Sequence, residues 1–189
     1  MITNRLIRIA GLLMILIITS GSLIAQQTLR MQNGSTATVE GTSTLHDWEM
    51  NSEEVKGEVV LEREGNRISS FDRIEVNIKA ESLKSDSRRM NNNAYSALNV
   101  DRHPEIRFRG SDVREITDTH LTVNGTLTIS GTSKPATIEA AYSINGGRIN
   151  FKGQYDISFS EFNISAPTAM MGTIRTGDDL TVKFDVTFR

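Results

Sequence analysis

The chain contains no cysteine. That excludes a disulfide framework and an N-terminal lipid attached through a thiol, and leaves stability to the apolar core and the backbone ladder. Histidine is scarce, and His46, His103 and His120 show no HxH or HExxH spacing, so no dedicated metal site is expected. There is no excess of basic residues either. Lys and Arg number 21 against 23 Asp and Glu, a formal charge of −2, which argues against nucleic acid as a partner because phosphate binding needs a concentrated basic face. Serines are frequent, but no nucleophile elbow and no base at a telling spacing accompany them. No catalytic residue, no enzymatic activity and no cofactor is expected.

A long apolar run occurs once, at the start. Arg5 and Arg8 precede Ile9–Ile18 (IAGLLMILII), and small or polar residues (TSGS) and then LIA lead to Gln26. This is the order of a secretory signal peptide over residues 1–25. The run is shorter than the ~20 residues of a spanning helix, which favours cleavage after Ala25 over a retained anchor, although Leu23 is not the usual alanine before a cut. The expectation is a single domain, residues 26–189, in the periplasm or secreted.

From there the dominant signal has period 2, the alternation of strands with one buried face. Val55, Gly57, Val59 and Leu61 share a face, as do Ile74, Val76, Ile78 and Ala80, and Ile106 with Phe108. The pattern returns in Leu121, Val123, Gly125, Leu127 and Ile129, and in Ile138, Ala140, Tyr142 and Ile144. It closes with Ile149, Phe151, Gly153, Tyr155 and Ile157, and with Leu180, Val182, Phe184, Val186 and Phe188. A first strand around Ala37–Trp48 makes eight. Turn signals separate them at Glu64-Gly65-Asn66, Gly131–Pro135, Asn145-Gly146-Gly147 and Gly177-Asp178-Asp179.

One segment breaks the period. Ser85–Leu98 has a Ser/Asp start and Met90, Ala94 and Leu98 at helical spacing, which predicts a short helix with an apolar stripe; His103-Pro104 then returns the chain to strand. Eight antiparallel strands form a barrel or a two-sheet sandwich, and runs near nine residues favour the barrel. Such a barrel is either filled by its own side chains or holds one small ligand. The fold class is therefore all-β, an eight-stranded antiparallel barrel with one short α-helix.

The stretch GTSTLHDWEM gathers rare residues. His46 and Asp47 are neighbours, so on a strand they point to opposite faces and cannot form a catalytic pair. A phase break at Asp47 would let both residues hold local backbone at the end of the first strand while Trp48 covers the barrel end.

Several segments together resemble the YceI-like family of exported bacterial proteins. They are VEGTSTLHDWEM…VKGEVVLE, SRRMNNNAYSALNVDRHPEIRFRGSDV, LTVNGTLTISGTSKPATIEAAY and ISFSEFNI…RTGDDLTVKFDVTF, spanning about residues 36–189 in this order. The resemblance implies a lipocalin-like barrel that takes an isoprenoid or similar long-chain lipid into its interior, with membrane contact only transient, for loading. The alternative is a structural or stress-response interaction module with a side-chain-filled barrel; an enzyme acting on a lipid head group ranks third.

The residues expected to line the interior are Trp48, Val59, Leu61, Val76, Ile78, Phe108, Val123, Leu127, Ile138, Phe151, Tyr155, Phe184 and Val186. Arg88 and Arg89 could meet an anionic head group, since guanidinium forks onto phosphate, or simply form a solvated helix face. Phe159–Ile164 and Ala166–Gly172 make an apolar connection that either gates the mouth or caps the core, and its Met/Pro-rich part could serve a homodimer.

Overall fold

The computed structural model describes residues 26–189, so the signal peptide expected over residues 1–25 lies outside the described residues. The strands in chain order are β1 (Gln27–Arg30), β2 (Thr36–Ser43), β3 (Trp48–Ser52), β4 (Val55–Glu64), β5 (Arg67–Lys79), β6 (Glu105–Ile116), β7 (His120–Ile129), β8 (Thr132–Asn145), β9 (Arg148–Ser158), β10 (Thr168–Ala169) and β11 (Ile174–Phe188). Among the described residues there is one α-helix, α1, which covers Arg88–Leu98. The strands form one antiparallel sheet in the order β1-β4-β5-β6-β7-β8-β9-β11-β2-β3, with β10 attached to β11.

The sheet curls until its ends meet through short contacts rather than a full ladder. Asn51 of β3 exchanges both backbone hydrogen bonds with Lys84 (2.8 and 2.9 Å), and Arg30 of β1 exchanges both with Arg189 (2.9 and 2.9 Å). The all-β barrel with one short helix is thus observed, with more strands than eight. The expected first strand is two, because the backbone turns between Ser43 and Trp48; there, the Ser43 hydroxyl donates to His46 O (2.7 Å) and accepts from the amides of Leu45 and His46. β1 has only four residues, too few for a period to show.

Turns form where positive φ is available, at Gly65, Gly131, Gly146 and Gly147. The turn expected at Gly177-Asp178-Asp179 is instead a bulge inside β11, where the register with β2 shifts between Thr176 and Leu180. The strand continues because Thr176 is paired with Ser43 and Asp179 with Ser158. Asp178 there accepts from Ser160 N (2.9 Å) and from the Ser160 hydroxyl, tying the connection after β9 to the barrel.

The two ends of the barrel differ. At one end Phe188, Leu61, Ile68, Ile149 and Val59 are fully buried, and Phe151 packs on Tyr142 and Phe188 at centroid distances of 6.2 and 5.8 Å. The Tyr142 hydroxyl donates to Thr117 O (2.8 Å), so the buried polar end of that ring is satisfied. This end is packed shut. At the other end the barrel meets α1, the β2–β3 turn and the segment from Phe159 to Thr173.

Helix α1 starts at the Ser87 cap, whose hydroxyl accepts from Met90 N (3.3 Å), and stops at Asn99 in the left-handed region (φ 51°). The Tyr95 hydroxyl reaches back to Glu81 O (2.8 Å) and Leu83 O (2.9 Å), clamping the helix to the chain after β5. Burial and the nearby Glu81 carboxylate raise the Tyr95 pKa above its ordinary value, only partly offset by Lys79, so this clamp keeps its proton at neutral pH.

Candidate functional site

Between the packed end and the helix lies a cavity of about 400 Å³, within the range of small-molecule pockets. Its deep end is bounded by Ala37, Phe71, Phe151 and Val186. Its mouth is bounded by Leu45, His46, Arg89, Pro167 and Ile174. The barrel interior is therefore not filled by its own side chains. Polar groups stand at the mouth, where the walls include Ser43, His46, Ser87, Arg89, Asn93 and Thr168, whereas the deeper walls are aliphatic and aromatic.

The period-2 reading places most of its residues on this wall. Val76, Ile78 and Phe108 line it from β5 and β6, Val123, Leu127 and Ile138 from β7 and β8, and Phe151, Tyr155, Phe184 and Val186 from β9 and β11. Trp48 joins them from the start of β3. Val59 and Leu61 do not: both are 0% exposed and belong to the packed end, because their part of β4 lies past the cavity floor. Arg89 borders the mouth, while Arg88 is exposed on the first turn of α1 and does not line the cavity.

Helix α1 lays Met90, Ala94, Ala97 and Leu98 over the cavity as its roof. The stripe was legible in the sequence as helical spacing, but not what it covers. The segment after β9 both caps and lines: Phe162 is buried in the core at this end, whereas Phe159 and Ile164 face the cavity. Ala37 and Ala140, not among the residues expected to line the interior although Ala140 shares the inward face of its strand, are buried wall positions where a small side chain leaves room.

Three wall aromatics lie against glycines. A Cβ on Gly41 would come within 2.8 Å of Trp48 Cε2, one on Gly153 within 2.7 Å of Phe184 Cζ, and one on Gly125 within 2.8 Å of Phe108 Cε2. Gly41 is paired with Trp48 and Gly153 with Phe184 across neighbouring strands. Each ring thus fills the space over a glycine and packs along the wall. The Trp48 ring is fixed further by Nε1 donating to Thr42 O (3.0 Å).

Around Gly41 the nearest groups are side chains, Trp48 and Leu180, so Gly41→Ala must push the indole off its place. The expected cost is on the order of 1–3 kcal/mol by overpacking. Trp48 is the single tryptophan, so its emission should shift while far-UV circular dichroism is unchanged. Unaltered emission would mean that the ring does not rest on Gly41.

His46 and Asp47 form no dyad. His46 Nδ1 lies 2.6 Å from Asp47 O; since the partner is a carbonyl, Nδ1–H donates, and the histidine is spent on local backbone.

A curled antiparallel sheet with one end packed shut and an apolar cavity under a helical roof is a lipocalin-like barrel. A family model described as a YceI-like domain matches residues 25–188, and the chain belongs to that family. A "UPF0312 protein" of Pseudomonas putida is 28% identical over 110 residues, 54% of this chain and 57% of that protein; the matched stretch spans about half the length of such curated relatives. Among solved structures, a polyisoprenoid binding domain from Saccharophagus degradans, implicated in plant cell wall breakdown, is similar at TM-score 0.67 and 9% identity, covering 87% of this chain and 99% of that one. Burkholderia cenocepacia BcnA is similar at TM-score 0.65 and 17% identity, covering 80% and 95%. At these identities the shared property is the fold.

Proposed function

We propose that this protein binds and carries an isoprenoid or similar long-chain lipid, holding the chain in the barrel and the head group at the mouth, without a chemical reaction. The observation that carries the reading is the continuous apolar cavity of about 400 Å³ with its polar residues gathered at one end. An amphiphile with one long tail matches that division. Each isoprene unit moved from water to the wall gains roughly 25 cal/mol per Å² buried, so affinity rests on tail length and on few polar contacts. The similarity to a polyisoprenoid binding domain supports the same ligand class. The basic start and apolar run of residues 1–25 support export, to the periplasm or beyond.

Native mass spectrometry of protein purified from its own cells tests this. A co-purified hydrophobic adduct, recovered as a polyprenyl or long-chain species in the organic extract, is the expected result. Protein that is always free of adduct, and that takes up no polyprenyl alcohol from detergent micelles, would overturn it.

A further inference from the structure

Among the described residues the exposed large apolar side chains are Leu45, Met170 and Met171, at 65, 60 and 106% exposure. All three stand on the rim of the cavity mouth. Leu45, in the β2–β3 turn, is exposed and lines the cavity at once. Met170 and Met171 directly follow Thr168 and Ala169 of β10, which also line it. The two loops are bound into one surface: the Thr44 hydroxyl donates to Thr173 O (3.4 Å), and Thr44 N donates to Arg175 O (3.0 Å) at the start of β11.

The backbone holds the methionines outward at a cost. Met170 and Met171 both have positive φ, 50° and 57°, followed by Gly172 at 86°. Two successive non-glycine residues in the left-handed region are unfavourable. Single exposed apolar residues are ordinary, but a cluster confined to the rim of an apolar cavity marks a contact surface. Cations flank it: Arg175 Nε donates to Gly172 O (3.2 Å) in the same loop, and Arg89 borders the mouth.

We propose that this rim docks on a lipid bilayer, with Leu45, Met170 and Met171 entering the headgroup–acyl boundary and Arg175 and Arg89 facing anionic headgroups. The inference rests on the carrier reading above and assigns the expected membrane contact to these rim residues. What selects a bilayer as occupant is continuity. Leu45 belongs both to the exposed rim and to the cavity wall, so a lipid tail leaving the acyl layer meets apolar side chains from the first contact inward. Docking thereby removes the barrier of exposing the tail to water.

The absence of cysteine makes the test direct. Met171→Cys, Leu45→Cys and, in the turn at the packed end, Asn145→Cys are each labelled with an environment-sensitive fluorophore. Vesicles of phosphatidylethanolamine and phosphatidylglycerol are then added. The labels at 171 and 45 should brighten, shift to the blue and be quenched by spin-labelled lipid, while the label at 145 should not respond. Met170→Glu with Met171→Glu, in the Leu45→Cys protein, should weaken the vesicle response on the order of tenfold for each methionine replaced. Polyprenyl alcohol uptake from detergent micelles needs the cavity but no bilayer, and should persist in the double glutamate variant without the label.

Rim labels that ignore vesicles, in protein that still takes up the alcohol from micelles, overturn the docking proposal and spare the carrier reading. Rim labels that enter vesicles, in protein that takes up nothing, leave docking standing and remove the carrier reading. A rim signal that follows protein concentration without vesicles, with a dimer in sedimentation, assigns the surface to a second copy of the chain and overturns docking.

Discussion

Phe188→Ala is expected to lower stability by about 3–5 kcal/mol, read from the urea midpoint at unchanged slope. Phe188 is 0% exposed, its ring meets Phe151 edge-on at 5.8 Å, and its backbone bridges to Met31 where the sheet ends approach each other. Removing the ring leaves a hole among Leu61 of β4 and Ile149 and Phe151 of β9, side chains whose backbones are held in hydrogen-bonded ladders and cannot collapse together. A domain stability of about 5–15 kcal/mol makes this loss a large share of the whole. A cost under about 1 kcal/mol would mean that the packed end relaxes freely, and would contradict its description as the closed floor of the barrel.

The second large effect is on binding. Ala140→Trp should abolish uptake of a long-chain lipid while the protein stays folded. Ala140 is buried on β8 and lines the cavity, so an indole at that position extends into space that a tail would occupy. Apolar filling of an existing cavity carries little of the penalty of inserting a side chain into a packed core. The expected outcome is at least a tenfold loss of uptake, about 1.4 kcal/mol, with the thermal midpoint unchanged or raised. Ala37→Phe, from β2, gives a second route should the indole at position 140 distort its own strand. Undiminished uptake in both folded variants would place the lipid outside this cavity.

The strand runs were readable because alternation is a local property: Val76, Ile78, Val123, Leu127, Phe184 and Val186 each point inward by the pleat alone. The helix was readable from its Ser/Asp start and from Met90, Ala94 and Leu98. Val59 and Leu61 satisfy the same period and yet belong to the floor, since alternation gives the face of a residue and says nothing of its height along the barrel. Gly177-Asp178-Asp179 carries the composition of a turn, but pairing on both sides keeps it in strand.

The sequence by itself determined the all-β barrel, the helix and the inward face of nearly every strand. Gly125 and Gly153 were already visible as inward positions. Only the tertiary structure decided that Phe108 and Phe184 rest over those glycines, that α1 roofs the cavity, and that Leu45, Met170 and Met171 share one rim. These facts depend on register between strands and on contacts between residues far apart in the chain. Whether an apolar interior is filled or open turns on that side-chain geometry, which period and composition leave unspecified.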